Sequence, residues 1–377
     1  MRIYEKLGVR PVVNANATLT RLGGSRMPPE VFEAMRDAGG AFVDMFELQR
    51  AVSRRIAELT RNEAALVCTG AAAGLVLSTL GCMTGRDQQA VARLLADGPG
   101  ALPRREIVMH CAHRIPYDPA LKLAGARIVE IGNALQTFDW ELEAALSERT
   151  AAVVYVAGVH LARGALPLDQ VIGLAHARGV PVIVDAAAQL PPPDNLWRFT
   201  QQGADLVLFS GGKALRGPQA SGLIVGRPEL IEACALHASP NQRLARPMKV
   251  GKEEMVGLLA AVEWYLRQDH AAYVNRCEQI TAEWVEGLNR LAGVRARRDF
   301  PSEAGQPLPR ALVRFEPSLG FGGEAVRQAL LAREPAIDVA VADEHSIYLN
   351  PDCLEPGEEA VVLDSLRAVV GAALPTA

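Results

Sequence analysis

Lys213 lies in "VLFSGGKALRGPQASGLIVG", residues 207–226, where an apolar run stops at Ser210, two glycines follow, and a second apolar run covers Leu223 to Val225. A lysine among small residues at a strand end is placed to form a Schiff base with an aldehyde cofactor, because the small neighbours let that cofactor approach the backbone. Three other apolar runs end in groups of matching chemistry. Asp185 in "VDAAAQLPP" sets a carboxylate where it can pair with a protonated heteroaromatic nitrogen. Thr69, Gly70 and Ala71 in "CTGAAAG" open a helix, whose unpaired N–H groups and positive dipole end suit a phosphate. His113 in "HCAHRIPYD" offers a flat ring to lie against an aromatic one, while His110, nearer the strand, reads as packing. Each has a plainer reading alone: a surface lysine in a hairpin turn, a turn-capping aspartate, a threonine N-cap, a core histidine. Occurring together at successive strand ends, they point to pyridoxal 5'-phosphate.

The elements that must position these groups follow from the pattern of the chain. Short apolar runs alternate with segments of helical period from about residue 64, which predicts an α/β domain on a mostly parallel sheet. The expected strands are Ala64 to Val67, Glu106 to Met109, Arg127 to Glu130, Ala152 to Ala157, Val180 to Val184, Asp205 to Phe209 and Leu223 to Val225. Ligands of such sheets collect at the carboxyl ends of the strands, where the four candidate groups fall. "QQAVARLLADGPGALPRR", residues 88–105, is punctuated by Pro and Gly and reads as a mobile excursion. Long amphipathic helices at Lys252 to Arg267 and Ala271 to Leu291, then strand-like "RALVRFEP" and "HSIYLNP", mark a smaller domain. The expected division is an N-terminal segment 1–27, a large domain 28–245 and a small α+β domain 246–377.

Composition limits the function classes. The 377 residues are 49% hydrophobic and 22% charged, enough to bury a large core and unlike a disordered chain. A formal net charge of −4 gives no general drive toward nucleic acid or anionic lipid. Six scattered cysteines without a Cys-x-x-Cys pair argue against a metal knuckle or disulfide scaffold, and no signal peptide or membrane-length apolar run is present. A cytoplasmic protein with reduced thiols, no metal, and no nucleic-acid or membrane partner is expected.

The chain resembles the fold-type I pyridoxal-phosphate enzymes, in the group around bacterial selenocysteine synthase (L-seryl-tRNA(Sec) selenium transferase) and D-glucosaminate-6-phosphate ammonia-lyase. The likeness runs from "VVNANATLTRLGGSRMPPEV" through "VCTGAAAGLVLS", "HRIPYDPALKLAGARIVEIG", "VDAAAQLPP" and "FSGGKALRGPQASGLIVGR" to "RPMKVGKEEMVGLLAAVEWY". It implies that Lys213 joins the cofactor covalently, Asp185 meets its ring nitrogen, His113 stacks on its ring, and Thr69, Gly70, Ala71 and Ser210 bind its phosphate. Gln189 is a candidate for the phenolic oxygen, or a surface glutamine. It further implies a homodimer or larger assembly in which Lys249 and Gly251 reach a neighbour's phosphate.

The reaction the resemblance implies starts with Lys213 yielding its place to an amino acid substrate and taking the α proton. Loss of a β hydroxyl then gives a 2-oxo acid and ammonia, as an ammonia-lyase acting on D-glucosaminate 6-phosphate would; return of a proton to the opposite face, with His113 as second base, would make a racemase or epimerase. A seryl-tRNA selenium transferase, for which an additional N-terminal tRNA-binding region is expected, and a non-catalytic binding protein of the same fold rank lower. For the substrate, Arg21 is the preferred contact and Arg310 the fallback carboxylate ligand; Arg26, Arg114 and Arg216 are further options. A surface ion pair is the plainer reading of any one of them.

Overall fold

The computed structural model describes residues 2–372 and joins the seven expected apolar runs in one sheet. Its strands are β1 (Ala64–Cys68), β2 (Glu106–His110), β3 (Arg127–Ile131), β4 (Thr150–Val156), β5 (Val182–Asp185), β6 (Leu206–Ser210) and β7 (Gly222–Gly226), in the spatial order β1-β7-β6-β5-β4-β2-β3. Strands β3, β2, β4, β5 and β6 pair in parallel, whereas β7 runs antiparallel to both β6 and β1. Both faces are covered, so the strands are apolar throughout and alternate residues serve different cores. Val153, Tyr155, Val182, Val184, Val207 and Phe209 point into one core, while Val154, Val156, Ile183, Leu206 and Leu208 point into the other. The register sets Asp185 beside Val156 of β4 and Leu208 of β6, at the carboxyl end of the sheet.

The chain divides into two compact units: Met27–Gln268, and the residues up to Arg26 together with those from Asp269 onward. This division differs from the expected boundary at 245/246. Helix Lys252–Leu266 belongs to the larger unit because Met255, Leu258, Val262 and Tyr265 are buried in the core of the central sheet. In the other unit Val12–Asn14 pairs in parallel with Ala336–Asp338, which ties the N-terminal segment to the C-terminal residues. A four-stranded antiparallel sheet, in the order Ala340–Asp343, Ser346–Leu349, Arg310–Phe315, Val294–Asp299, completes that unit with its helices.

The expected excursion at 88–105 is instead helical at its start. Gln88–Asp97 forms a helix whose N-cap, Asp87, accepts a hydrogen bond from the Gln89 N–H at 2.8 Å, and Ala90, Val91 and Leu94 are buried. The glycines and prolines that suggested a loop come only after it, beginning at Gly98 with φ +77°. Among the described residues no helix is long and apolar enough to cross a membrane.

Two glycines decide how helix Ala71–Thr84 meets the sheet. Gly70 precedes it at φ +110°, a conformation that side chains rarely adopt. A Cβ on Gly222, at the start of β7, would lie 2.5 Å from the Gly70 carbonyl carbon and 2.8 Å from the Ala71 nitrogen. Backbone must therefore move if Gly222 acquires a side chain. Gly222→Ala is expected to destabilise the fold by about 1–3 kcal/mol through overpacking. Gly173→Ala, in a helix with open space around it, should instead stabilise by roughly 0.5–1 kcal/mol. Denaturant unfolding of both variants checks the pair.

Candidate active site

Asp185 ends β5 and is buried, and its Oδ1 accepts a hydrogen bond from the Ala187 N–H at 3.0 Å. Burial pushes the carboxyl's pKa up; the Ala187 N–H and the nearby positive charge of Lys213 pull it back without cancelling the rise. The Ala187 carbonyl in turn accepts from the Ser210 N–H at 3.4 Å, so one residue links the aspartate turn to the end of β6. Three residues on, Lys213 sits in a loop closed upon itself. The Gly211 N–H donates to the Ser221 carbonyl at 2.9 Å, Gly217 donates to Gly211 at 2.8 Å, and Arg216 to Lys213 at 2.8 Å. Side chains at Gly211 and Gly212 would collide with Ser221 and Gln219. Lys213 is thereby held beside the carboxylate of a neighbouring strand end.

The start of helix Ala71–Thr84 is partly open to solvent, although nearly all residues from Ala73 onward are buried. Gly70 supplies no side-chain cap, and Thr69 turns its hydroxyl to the Ala220 carbonyl at 3.4 Å. The first-turn N–H groups and the helix dipole thus face outward as an anion receptor. Gln189 is half-buried, with its backbone N–H on the Ala186 carbonyl and its carbonyl accepting from the Asn195 side chain.

His113 lies in the short turn Cys111–His113 and is fully buried. Its Nδ1 accepts the Val156 N–H at 3.3 Å, which assigns the ring proton to Nε2, and Nε2 has no partner among the described residues. Tyr155 meets the ring edge-on at 4.5 Å between centroids and His110 at 4.8 Å. Burial, with a smaller contribution from His110, pushes the His113 pKa down to about 3. His110, buried and accepting the Leu166 N–H at 3.3 Å, is pushed down to about 4 by burial. The sequence did not mark Tyr155 or Gly222 as relevant. A lone aromatic in the run "TAAVVYV" and a glycine opening "GLIVG" were the available signals.

Lys249 is exposed, and Gly251 caps helix Lys252–Leu266, whose first turn already carries Glu253 and Glu254. Arg21 and Arg310 belong to the other unit, and each has a carboxylate there: Arg21 pairs at 2.5 Å with buried Asp338, and Arg310 at 3.3 Å with Asp299 while lying 3.9 Å over the Tyr348 ring. Arg26 pairs with Glu358, Arg114 with Asp118 and Glu130, and Arg216 sits 5.5 Å over Trp264.

These groups fit pyridoxal phosphate on their own chemistry. A carboxylate left costly by burial is relieved by a cationic ring nitrogen, an uncapped helix start receives a phosphate, and a buried imidazole N–H without a partner among the described residues lies in the turn that follows β2. The sequence matches the SelA family, L-seryl-tRNA selenium transferase, over residues 44–286. The chain belongs to this family. It is 38% identical over 376 residues to a Streptomyces 5'-C-glycyluridine monooxygenase-decarboxylase, covering 95% of this chain and 90% of that protein. It is 34% identical over 375 residues to the D-glucosaminate-6-phosphate ammonia lyase of Salmonella typhimurium, covering 97% of each. A solved structure of D-glucosaminate-6-phosphate ammonia-lyase superposes with a TM-score of 0.84, covering 98% of both chains at 34% identity. The fold is that of the fold-type I enzymes.

The buried histidines make stability depend on pH. The unfolded chain binds a proton at each near pH 6.5, whereas the folded chain refuses it until about pH 4 or below. Stability is therefore full above pH 6.5 and falls as pH drops, by about 1.4 kcal/mol per pH unit for each such histidine. Thermal unfolding between pH 7 and 4.5 should show that His113→Phe loses less stability on acidification than the parent. An equal loss would mean that His113 is not held neutral.

Proposed function

We propose that the protein is a pyridoxal-phosphate-dependent ammonia-lyase. It would act by α,β-elimination on a hydroxylated amino acid such as D-glucosaminate 6-phosphate, giving a 2-oxo acid and ammonia. The observation that carries this reading is the full-length 34% identity to an enzyme of that activity, joined to the Lys213 and Asp185 pair at adjacent strand ends. Bound in the site, the cofactor supplies an aldehyde for capture of an amine and an electron sink for the substrate's α-carbon. Lys213 would provide the amine that holds the cofactor at rest and, when freed by substrate, would accept the α proton. Asp185 would keep the ring nitrogen protonated. Thr69, Gly70, Ala71 and Ser210 would receive the phosphate, and Gln189 is the candidate for the phenolic oxygen.

His113 would stack on the ring as a neutral N–H donor. A ring with a pKa near 3 is a poor base at neutral pH, which favours elimination over a racemase's second proton transfer. In the elimination the α C–H bond would break toward Lys213 and the β C–O bond would break, the proton taken by Lys213 leaving with the hydroxyl as water; hydrolysis of the released enamine would then consume one water and free ammonia. Arg21, and Arg310 as the fallback, remain the candidates for the substrate's charged groups; each has a carboxylate partner within its own unit. The working form is a cytoplasmic homodimer or larger assembly, with Lys249 and Gly251 turned to a neighbour's phosphate.

A second reading rests on the 38% identity to a monooxygenase-decarboxylase, which would consume oxygen and release carbon dioxide instead. Cofactor-loaded enzyme incubated with D- and L-amino acids and sugar amino acids in deuterated water separates these. Expected are 2-oxo acid and ammonia in equal amounts without oxygen uptake, with the rate lowered roughly 10²–10⁴-fold or more in Lys213→Ala. Oxygen consumption with carbon dioxide would install the second reading. α-Deuteration with inversion and no oxo acid would indicate a racemase, and turnover of seryl-tRNA would displace all three.

A further inference from the structure

At the opposite ends of the parallel strands, the amino ends, the chain gathers arginines. Arg104 and Arg105 immediately precede β2, Arg127 opens β3, Arg149 precedes β4, and Arg178 lies four residues before β5. Backbone bonds knit the edge together: the Arg105 and Glu106 N–H groups both donate to the Arg149 carbonyl at 3.0 Å, and the Arg127 N–H donates to the Arg105 carbonyl at 2.8 Å. Two of these side chains have a carboxylate partner. Arg127 and Arg149 each reach the buried carboxylate of Glu106 at 2.7 Å. Among the described residues Arg104 and Arg178 pair with no carboxylate, and both line one cavity of about 510 Å³ with Leu146, Ser147, Glu148 and Gly179. The Arg104 Nε donates to the Thr150 carbonyl at 3.1 Å, which fixes the guanidinium at this edge.

We propose that this cavity is a second binding site, for a small phosphorylated molecule that also carries hydroxyl or amino donors. The volume falls in the range of small-molecule sites, roughly 300–1,000 Å³. Five arginines against Glu106 and Glu148 leave a local excess of positive charge on a chain whose formal net charge is −4. Arg104 and Arg178 present planar donor forks suited to phosphate oxygens. Glu148, which also lines the cavity, disfavours further negative charge and can accept from a hydroxyl or amine, so a bare polyanion is a poorer fit than a phosphorylated sugar or nucleoside. The length of β4 puts the site about 20 Å from the Asp185 end, so occupancy does not depend on the reaction proposed there.

The test uses the cofactor-loaded protein, so that the helix start at Ala71 is already filled. Isothermal titration with ADP, and with pyrophosphate as the anion alone, should show one ADP site, with pyrophosphate bound more weakly. Arg104→Ala/Arg178→Ala should weaken ADP binding about tenfold or more, while Arg290→Ala in the other unit changes nothing. The cofactor's absorbance should be the same in all three proteins, and Arg178→Glu alone serves as the variant that leaves the Arg104 bond intact. No heat from ADP at millimolar concentration, or undiminished binding in both cavity variants, would overturn the proposal. So would tight binding of a single-stranded RNA oligonucleotide that ADP fails to displace, since that would make the edge a nucleic-acid surface.

Discussion

A carboxylate taken out of water at the end of β5, with a lysine charge beside it, is the constraint on which the site depends. Burying Asp185 costs free energy that the Ala187 N–H and Lys213 offset only in part, as its raised pKa records. Such a group persists where the surroundings fix it and a ligand can complete it. The surroundings here are parallel pairing on both sides, β4 through Val156 and β6 through Leu208, with apolar residues filling both faces. Ala187 then ties the aspartate turn to Ser210 by one N–H and one carbonyl, so the lysine loop cannot drift without straining the carboxylate's hydrogen bond.

The remaining features serve the same end of the sheet. Gly222 lets β7 pass against Gly70 and Ala71, which brings the open helix start to the side of the lysine loop. Val156, opposite Asp185 in register, gives its N–H to His113 and so decides which ring nitrogen carries the proton. Burial, with His110, holds that ring neutral, and the backbone amide selects its tautomer. Two relatives with similar overall identity but different named activities show that this framework does not by itself fix the reaction.

The sheet was legible because both its faces are covered: seven apolar runs, each bounded by turn residues, left little competition from other readings. The order of Lys213 after Asp185, each at a strand end, was legible for the same reason. Helix Gln88–Asp97 was not, because the Gly and Pro that follow it dominated the local composition although Asp87 gave a capping signal. Val294–Asp299 escaped because Arg295, Arg297, Arg298 and Asp299 fill most of a strand in which only Val294 and Ala296 are buried. The unit boundary moved to residue 268 since amphipathicity reveals that Lys252–Leu266 has an apolar face, but not which core receives it. The histidine tautomer and the carboxylate partners of Arg21 and Arg310 depend on contacts distant in sequence, which no spacing rule reports.

On the proposed function, one amine of this chain, adjacent to Asp185, would carry the cofactor covalently. The chain has only five lysines, at 6, 122, 213, 249 and 252, so the position can be assigned without ambiguity. Borohydride reduction of the cofactor-loaded protein followed by peptide mass mapping should find the phosphopyridoxyl mass on Lys213 alone. Its appearance on another lysine, or a protein that takes up no cofactor to be trapped, would contradict the account.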